Sequence, residues 1–343
     1  MTLTVGPVRR PTSSAEIYEL LERGEVSVTQ AIRLFTEVER DLPQPPLPAR
    51  RDAQPRQQPA VALPPAAEVG EAARVDDILS ELDQLVGLTQ VKALVREVRA
   101  YIEIQRRRSR ENLLTEPMAL HMVFSGNPGT GKTTVARLLA RLFKELGVLQ
   151  KGHLVEVERA DLVGEYIGHT ALKTREQIKR ALGGILFIDE AYSLARGGEK
   201  DFGREAIDTL VRAMEENRDN LVIILAGYQR EMRSFLQLNP GLKSRFPIHL
   251  GFQDFSLEQL MLIAEQMVQK RQYRLTAEAR EELADYLRAR LAAGDENMGN
   301  ARLVRNLVER AVRRQAVRLI ERHDLLREDL VTLTREDILE CAV

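Results

Sequence analysis

Three glycines, a lysine and two threonines are packed into Gly126-Asn-Pro-Gly-Thr-Gly-Lys132-Thr133. Their spacing fits G-x-x-x-x-G-K-[ST], a loop built to hold a chain of phosphates. Glycines let the backbone turn so that successive amide N–H groups face one anion. A helix starting inside the loop adds the positive end of its dipole at the same spot. Lys132 then reaches the β and γ phosphates, and the Thr133 hydroxyl is placed to ligate Mg²⁺. Gly126, Asn127, Pro128, Gly129, Thr130, Gly131, Lys132, Thr133 and Thr134 are the candidate nucleotide contacts. A glycine-rich strand-to-helix turn with an incidental Lys-Thr is the bland alternative. The apolar run before the loop and the amphipathic run after it favour the phosphate reading. By itself the motif specifies a nucleotide, not a reaction.

A second feature supplies chemistry. Gly184-Ile-Leu-Phe-Ile-Asp189-Glu190 ends a short apolar run in two carboxylates. At the C-terminal end of a buried strand, such a pair faces the crevice where open α/β sheets bind ligands. Asp189 would hold Mg²⁺ beside Thr133, and Glu190 would orient and polarise an attacking water. A solvated strand end would also carry acids, but the upstream loop gives this pair a partner.

The elements that must position these residues follow from periodicity. Apolar runs with strand character occur at Met122–Phe124, Leu154–Val157, Ile185–Ile188, Leu221–Ala226 and Ile248–Phe252. Helical spacing fills the intervals, as in Val135, Leu138, Leu139, Leu142, Phe143 and Leu146. This order predicts a doubly wound parallel sheet with helices on both faces, over residues 75–252. Past Asp254 the strand signal stops. Ser256 with Gln259 opens one helix and Asn300 a longer one, predicting an all-helical lid over 253–343. Eight of the 14 prolines lie between Pro43 and Pro65, so 43–74 reads as a stiff, extended linker. Ahead of it, Ser13 with Glu16 and Ser27 with Gln30 start two short helices, a hairpin over 1–42.

Composition narrows the classes. The 343 residues carry 50 basic and 51 acidic side chains, a formal net charge of -1. That balance gives no support to a dedicated nucleic-acid or membrane-surface binder. The basic run Arg106-Arg107-Arg108-Ser109-Arg110 reads as a solvated helix face, and nucleic acid is not an expected partner. Cys341 is the only cysteine, which leaves no intramolecular disulfide and no cysteine metal site. The five histidines, at 121, 153, 169, 249 and 323, show no ligand spacing. No run approaches the ~20 apolar residues that span a bilayer, so a cytoplasmic protein without membrane partners is expected.

Longer runs carry a resemblance. Lys151-Gly-His-Leu, Arg159-Ala-Asp-Leu-Val-Gly-Glu-Tyr166-Ile-Gly-His169-Thr, the stretch Asp189-Glu-Ala-Tyr-Ser-Leu-Ala-Arg-Gly-Gly-Glu-Lys-Asp-Phe202, and Asn239-Pro-Gly-Leu-Lys-Ser-Arg245-Phe all belong to it. From about Leu82 to Leu333 the chain resembles the P-loop AAA+ ATPases. Within them it resembles the branch that holds red-type Rubisco activase and stage V sporulation protein K, with the greater likeness to the sporulation member. The first 75 residues fall outside the match.

The resemblance implies roles residue by residue. Val86-Gly87 corresponds to the adenine-side wall. Arg245 corresponds to the arginine finger that reaches the γ-phosphate held by a neighbouring subunit, a contact worth ~10³ or more in rate. Arg302, in Gly299-Asn-Ala-Arg302, corresponds to the lid arginine that senses the γ-phosphate. Tyr166-Ile167-Gly168 corresponds to a central-pore loop, where an exposed aromatic grips an extended polypeptide without reading its sequence. For Tyr166 a half-buried loop tyrosine is the alternative, and for the two arginines structural or surface roles are. One departure stands out. The general pattern ends the fourth strand on a polar residue, whereas this chain reads Leu225-Ala-Gly-Tyr228, which leaves open the residue that positions the water.

The expected function is therefore ATP-driven protein remodelling by a ring, hexameric in this family, with ATP and Mg²⁺ as cofactors, an unidentified client protein, and a setting in endospore formation. A red-type Rubisco activase is the rival within the fold. A P-loop kinase and a nucleotide-gated scaffold are the rivals from other classes.

Overall fold

The computed structural model describes residues 69–115, 119–166, 168–196, 202–293, 299–320, 322 and 324–339. The expected hairpin at 1–42, most of the linker at 43–74, Ile167, His323 and Cys341 lie outside the described residues.

The sheet is parallel, with strands β1 (Met122–Gly126), β2 (Leu154–Val157), β3 (Ile185–Ile188), β4 (Val222–Gly227) and β5 (Ile248–Phe252) in the order β2-β3-β4-β1-β5. Alternation along each strand divides its side chains between two cores. Met122, Phe124, Ile185, Phe187 and Ile224 face helices α1 (Val69–Gln84), α2 (Thr89–Arg110) and α3 (Lys132–Glu145). Val123, Leu186, Ile188, Ile223 and Leu225 face the opposite layer. That layer contains α4 (Arg159–Leu162), α5 (His169–Ala181), α6 (Gly203–Glu216), α7 (Gln229–Leu238) and α8 (Pro240–Arg245). Burial on both faces explains why the central strands read as unbroken apolar runs. At the edge, β5 alternates instead: Ile248, Leu250 and Phe252 are buried while His249 and Gly251 are exposed. Helix α1 opens at Val69, inside the stretch expected to be linker.

An aromatic cluster fixes the strand ends. The Phe124 ring lies 6.5 Å from Phe187, edge-on, and 5.0 Å from Phe252. Each such pair is worth about 0.5–1.5 kcal/mol beyond the area it buries. Phe124 precedes Gly126 by two residues, and Phe187 precedes Asp189 by two, so the cluster sets the spacing between the glycine loop and the acids. His121 serves the sheet as well: its Nδ1 accepts from the Ile223 N–H at 3.0 Å.

The C-terminal unit is built on α9 (Leu257–Lys270), α10 (Ala277–Ala292), α11 (Asn300–Ile320), α12 (Arg327–Val331) and α13 (Arg335–Leu339). The capping box expected for α9 is present, with Gln259 N–H donating to Ser256 Oγ and Ser256 N–H to Gln259 Oε1. The all-helical expectation takes one amendment. Two-residue strands β6 (Arg274–Leu275) and β7 (Thr332–Leu333) pair in parallel within the unit. Two residues are too few to leave a periodic signal in sequence. The returning chain is held by Gln315, whose Nε2 donates to the carbonyls of Leu330 and Thr332. Arg318 adds a two-pronged bond to the buried Asp337 carboxylate.

The basic run at the end of α2 is engaged within the chain: Arg106 donates to Leu146 O, Arg107 to Glu103, and Arg108 to Leu114 O. No helix among the described residues is long and apolar enough to cross a membrane.

Candidate functional site

Strand register brings the chemistry to one edge. Ser125 lies opposite Gly227 and Ile188 opposite Leu225. The residues that follow each strand therefore emerge together at the C-terminal edge, beside the point where the chain leaves β1 for the far side of the sheet. There a cleft of about 360 Å³ opens. Its floor is the glycine loop and first turn of α3, with Gly126, Pro128, Gly129, Gly131, Lys132, Thr133 and Thr134. One wall is Asp189, Glu190, Gly227 and Tyr228; the other is Ala301, Arg302 and Arg305 of α11.

Gly129 shows why the loop needs glycine. Its φ is +74°, and a Cβ there would collide with the Gly299 carbonyl oxygen. Ala301 N–H donates to Gly129 O at 3.2 Å, so loop and lid touch backbone to backbone. Lys132 Nζ donates to the Gly126 and Asn127 carbonyls at 2.8 and 2.9 Å. Burial pulls its ammonium below the ordinary lysine range; the carboxylates of Asp189 and Asp254 oppose that, and Arg302 adds to it. Not every loop residue faces the cleft. Thr130 is fully buried and donates to Asn127 O, and Asn127 Nδ2 turns away to Asp254 Oδ2 at 2.9 Å.

Asp189 and Glu190 sit where β3 ends. Asp189 N–H extends the sheet to Val157 O, and Glu190 N–H donates to Asp189 Oδ1 at 3.0 Å. Glu190 has a positive φ of 46°. Such backbone costs of order 1–3 kcal/mol and persists where the surroundings hold it. The chain leaves the strand line here, and Glu190 lines the cleft. Beside it, burial pushes the Tyr192 phenol up to about 12, and the Glu190 charge adds to that. The Tyr192 ring lies 6.1 Å from that of Tyr228, with the Arg196 guanidinium 5.0 Å from the Tyr192 centroid. Tyr228 thus stands on a neutral aromatic support at the position left open by the sequence.

Other expected residues lie outside the cleft walls. Val86 packs against the lid core, and a Cβ on Gly87 would meet Gln259 Nε2 at 3.0 Å. Leu88, the next residue, reaches across to Gly131. Arg245 ends α8, where its Nε meets Glu215 Oε1 at 3.0 Å and Nη1 donates to Gly241 O. A surface pair of this kind is worth about 0–1 kcal/mol, a small barrier to re-aiming the guanidinium. Tyr166 is 66% exposed rather than half-buried, its ring edge-on to His169 at 5.5 Å. The base of its loop is fixed: Gly164 N–H donates to the buried Thr170 Oγ1 at 2.9 Å, and Thr174 Oγ1 to Leu162 O at 3.0 Å. Gly168, at φ +83°, has open space around it.

A second cavity, about 530 Å³, joins these regions. Glu190 is common to both cavities, and the far side of the second is Arg159, Gly164, Glu165 and Lys173 at the base of the Tyr166 loop. Arg159 Nη1 donates to Ser193 O at 2.6 Å across it.

Sequence reading missed Arg137, Arg305, Asp254 and Asn300. Arg137 falls four residues after Thr133 and Arg305 three after Arg302, so helical spacing alone could have flagged both. Asp254 and Asn300 left no such signal, since 46 residues separate them.

Comparison with known proteins gives concordant results. Residues 122–254 match the ATPase family associated with various cellular activities (AAA), and residues 256–342 match the AAA lid domain. Stage V sporulation protein K of Bacillus subtilis is 54% identical over 263 residues, 76% of this chain and 82% of that protein. Protein CbbX of Cereibacter sphaeroides is 48% identical, covering 78% and 87%. The chloroplastic ribulose bisphosphate carboxylase/oxygenase activase of Cyanidioschyzon merolae is 46% identical, covering 78% and 92%.

Proposed function

Because the chain belongs to the AAA family of ATPases and hydrolyses ATP, we propose that it works as a hexameric ring that remodels a client protein. The observation that carries this reading is the shared wall at Glu190. Glu190, which lines the phosphate cleft, also lines the cavity at the base of the exposed Tyr166 loop. A change in the surroundings of Glu190 during turnover has a short path to the residue that would grip a client.

In this reading the loop amides and Lys132 hold the triphosphate, and Arg302 contacts its γ-phosphoryl group from the lid. Val86 and Gly87 lie on the adenine side. Glu190 orients a water and draws its proton as the oxygen attacks the γ-phosphorus. The bond to the ADP oxygen breaks, giving ADP and orthophosphate. Arg245 of a neighbouring subunit spreads the developing charge over its fork of donors. Mg²⁺ fits the donors available. Thr133 and Asp189 supply a hydroxyl and a carboxylate to one cleft, and Mg²⁺ favours one or two such oxygens together with phosphates. When bound, the ion would neutralise phosphate charge. The lid, joined to the loop at Gly129, moves with the state of the γ-phosphate and shifts the Tyr166 loop along an extended segment of client. Nucleic acid has no part in this reading, and a cytoplasmic site of action goes with it.

Size measurement and affinity capture with Glu190→Gln in ATP test the proposal. A ring-sized particle retaining a protein that ADP releases is the expected result. A monomer at every concentration, holding nothing in ATP, would overturn it.

The 54% relative is named for sporulation, and endospore formation is the setting we favour. Relatives named CbbX and Rubisco activase support a second reading, an activase for Rubisco. Stimulation of ATPase activity by ribulose bisphosphate and by inhibited Rubisco would select it; indifference to both would remove it. Membership in an ATPase family argues against an acceptor-directed kinase and a non-hydrolysing scaffold.

A further inference from the structure

The phosphate loop does not stand alone on its strand. Asn300, only 2% exposed, opens α11 with a positive φ of 46°. Asparagine is among the few side chains that tolerate that backbone. Its Nδ2 donates to Asp254 Oδ1 at 2.8 Å and to Pro128 O at 3.3 Å, while its Oδ1 accepts from Phe255 N–H at 2.9 Å. The other Asp254 oxygen accepts from Asn127 Nδ2 at 2.9 Å. One residue further, Ala301 N–H bonds to Gly129 O. Three consecutive loop residues, 127 to 129, are thus tied to the end of the sheet and the start of the lid helix. Arg302 lies on the first turn of that helix.

We infer that Asp254 and Asn300 are positioning residues for ATP binding and turnover, holding the loop amides and Arg302 in one frame around the triphosphate. Neither needs to touch nucleotide. Asp254 accepts one bond from the loop and one from the lid, so a single carboxylate bridges the two beside the direct bonds from Asn300 to Pro128 O and from Ala301 to Gly129 O. Its charge also bears on Lys132. An acid is needed here because both bonds are accepted, and an amide is needed at 300 because it must donate to Asp254 and accept from Phe255.

That logic gives an exchange test. It rests on the reading of the cleft as the ATP site, so a fluorescent N-methylanthraniloyl ATP is first titrated into the parent protein. Failure of the parent to bind would overturn the site reading and the inference with it. Asp254→Asn sets two amide N–H groups against each other, and Asn300→Asp sets two carboxylates against each other. Each is expected to weaken nucleotide affinity and raise the KM for ATP by about tenfold or more, the scale of one charge-assisted hydrogen bond. The double exchange, Asp254→Asn with Asn300→Asp, restores donor against acceptor between 254 and 300 while giving up the longer bond to Pro128 O, and should bind nucleotide more tightly than either single variant. The melting temperature without nucleotide separates positioning from folding, since a merely structural pair would lower it and leave the affinity of the folded fraction unchanged. Should Asn300→Asp fail to fold, Asn127→Ala cuts the loop-side bond at an accessible position and should still weaken affinity. Parent-like affinity and KM in folded single variants, or a double exchange no better than the worse single, would overturn the inference while leaving the ATP site standing.

Discussion

Lys132 Nζ lies 2.8 Å from the carbonyl oxygen of Gly126, six residues upstream. The ammonium thereby folds back onto its own loop, where the Asn127 carbonyl holds it as well at 2.9 Å. Its burial costs it part of its hydration, so the charge is held ready for anionic partners in a site of low dielectric.

Lys132→Ala removes that charge and leaves Gly126 and Asn127 to water. Binding of ATP should weaken by about a hundredfold, equivalent to ~2.7 kcal/mol. Glu190→Gln should behave differently, keeping affinity and losing turnover by about 10²-fold or more. Calorimetric titration and a phosphate-release assay separate the two. Equal affinity in Lys132→Ala and the parent would contradict the assignment.

Arg245 stands apart from the cleft of its own chain and holds Glu215. If it completes a neighbour's site, Arg245→Ala should be inactive alone and Glu190→Gln likewise. Mixed in one ring, they should regain turnover at interfaces that pair the intact Glu190 with the intact Arg245. Activity measured across mixing ratios should rise and fall with a maximum between the ends. A flat line at background would rule out a shared site.

Gly129→Ala deletes no functional group, yet it should be costly. Left-handed backbone costs an alanine about 1–2 kcal/mol, and the new methyl meets the Gly299 carbonyl in a backbone contact. A fall in melting temperature of roughly 2–8 °C is expected, together with a higher KM for ATP. Unchanged values for both would mean that loop and lid are not packed as described.

His121 makes the fold sensitive to acid. Burial first, then Arg218, lowers its pKa from 6.5 to about 4, against the pull of Glu215. The unfolded chain takes up a proton as pH falls through 6.5, whereas the folded chain resists until near 4. Stability is therefore full above pH 6.5 and declines between 6.5 and 4, by an amount on the order of 3 kcal/mol at most. Urea unfolding at pH 7.5, 6 and 5 should show the decline, and His121→Asn, which keeps an acceptor for Ile223 N–H, should flatten it.

The chain's order of residues determined the elements and the local chemistry. A glycine loop followed by Lys132 and Thr133, and acids at the end of a buried strand, are sites written in neighbouring positions, where backbone geometry fixes spacing without help from the fold. Apolar runs buried on both faces likewise declared a parallel sheet. Distance across the chain was decided only by tertiary packing. Asp254 reaches Asn300, Gly129 meets Gly299, and the pair β6 and β7 forms because helices with no sequence relation to one another bring those segments together. Such contacts depend on where cores close, through the summed burial of many side chains. No short pattern encodes that sum, so the loop was legible in sequence while the frame that holds it was not.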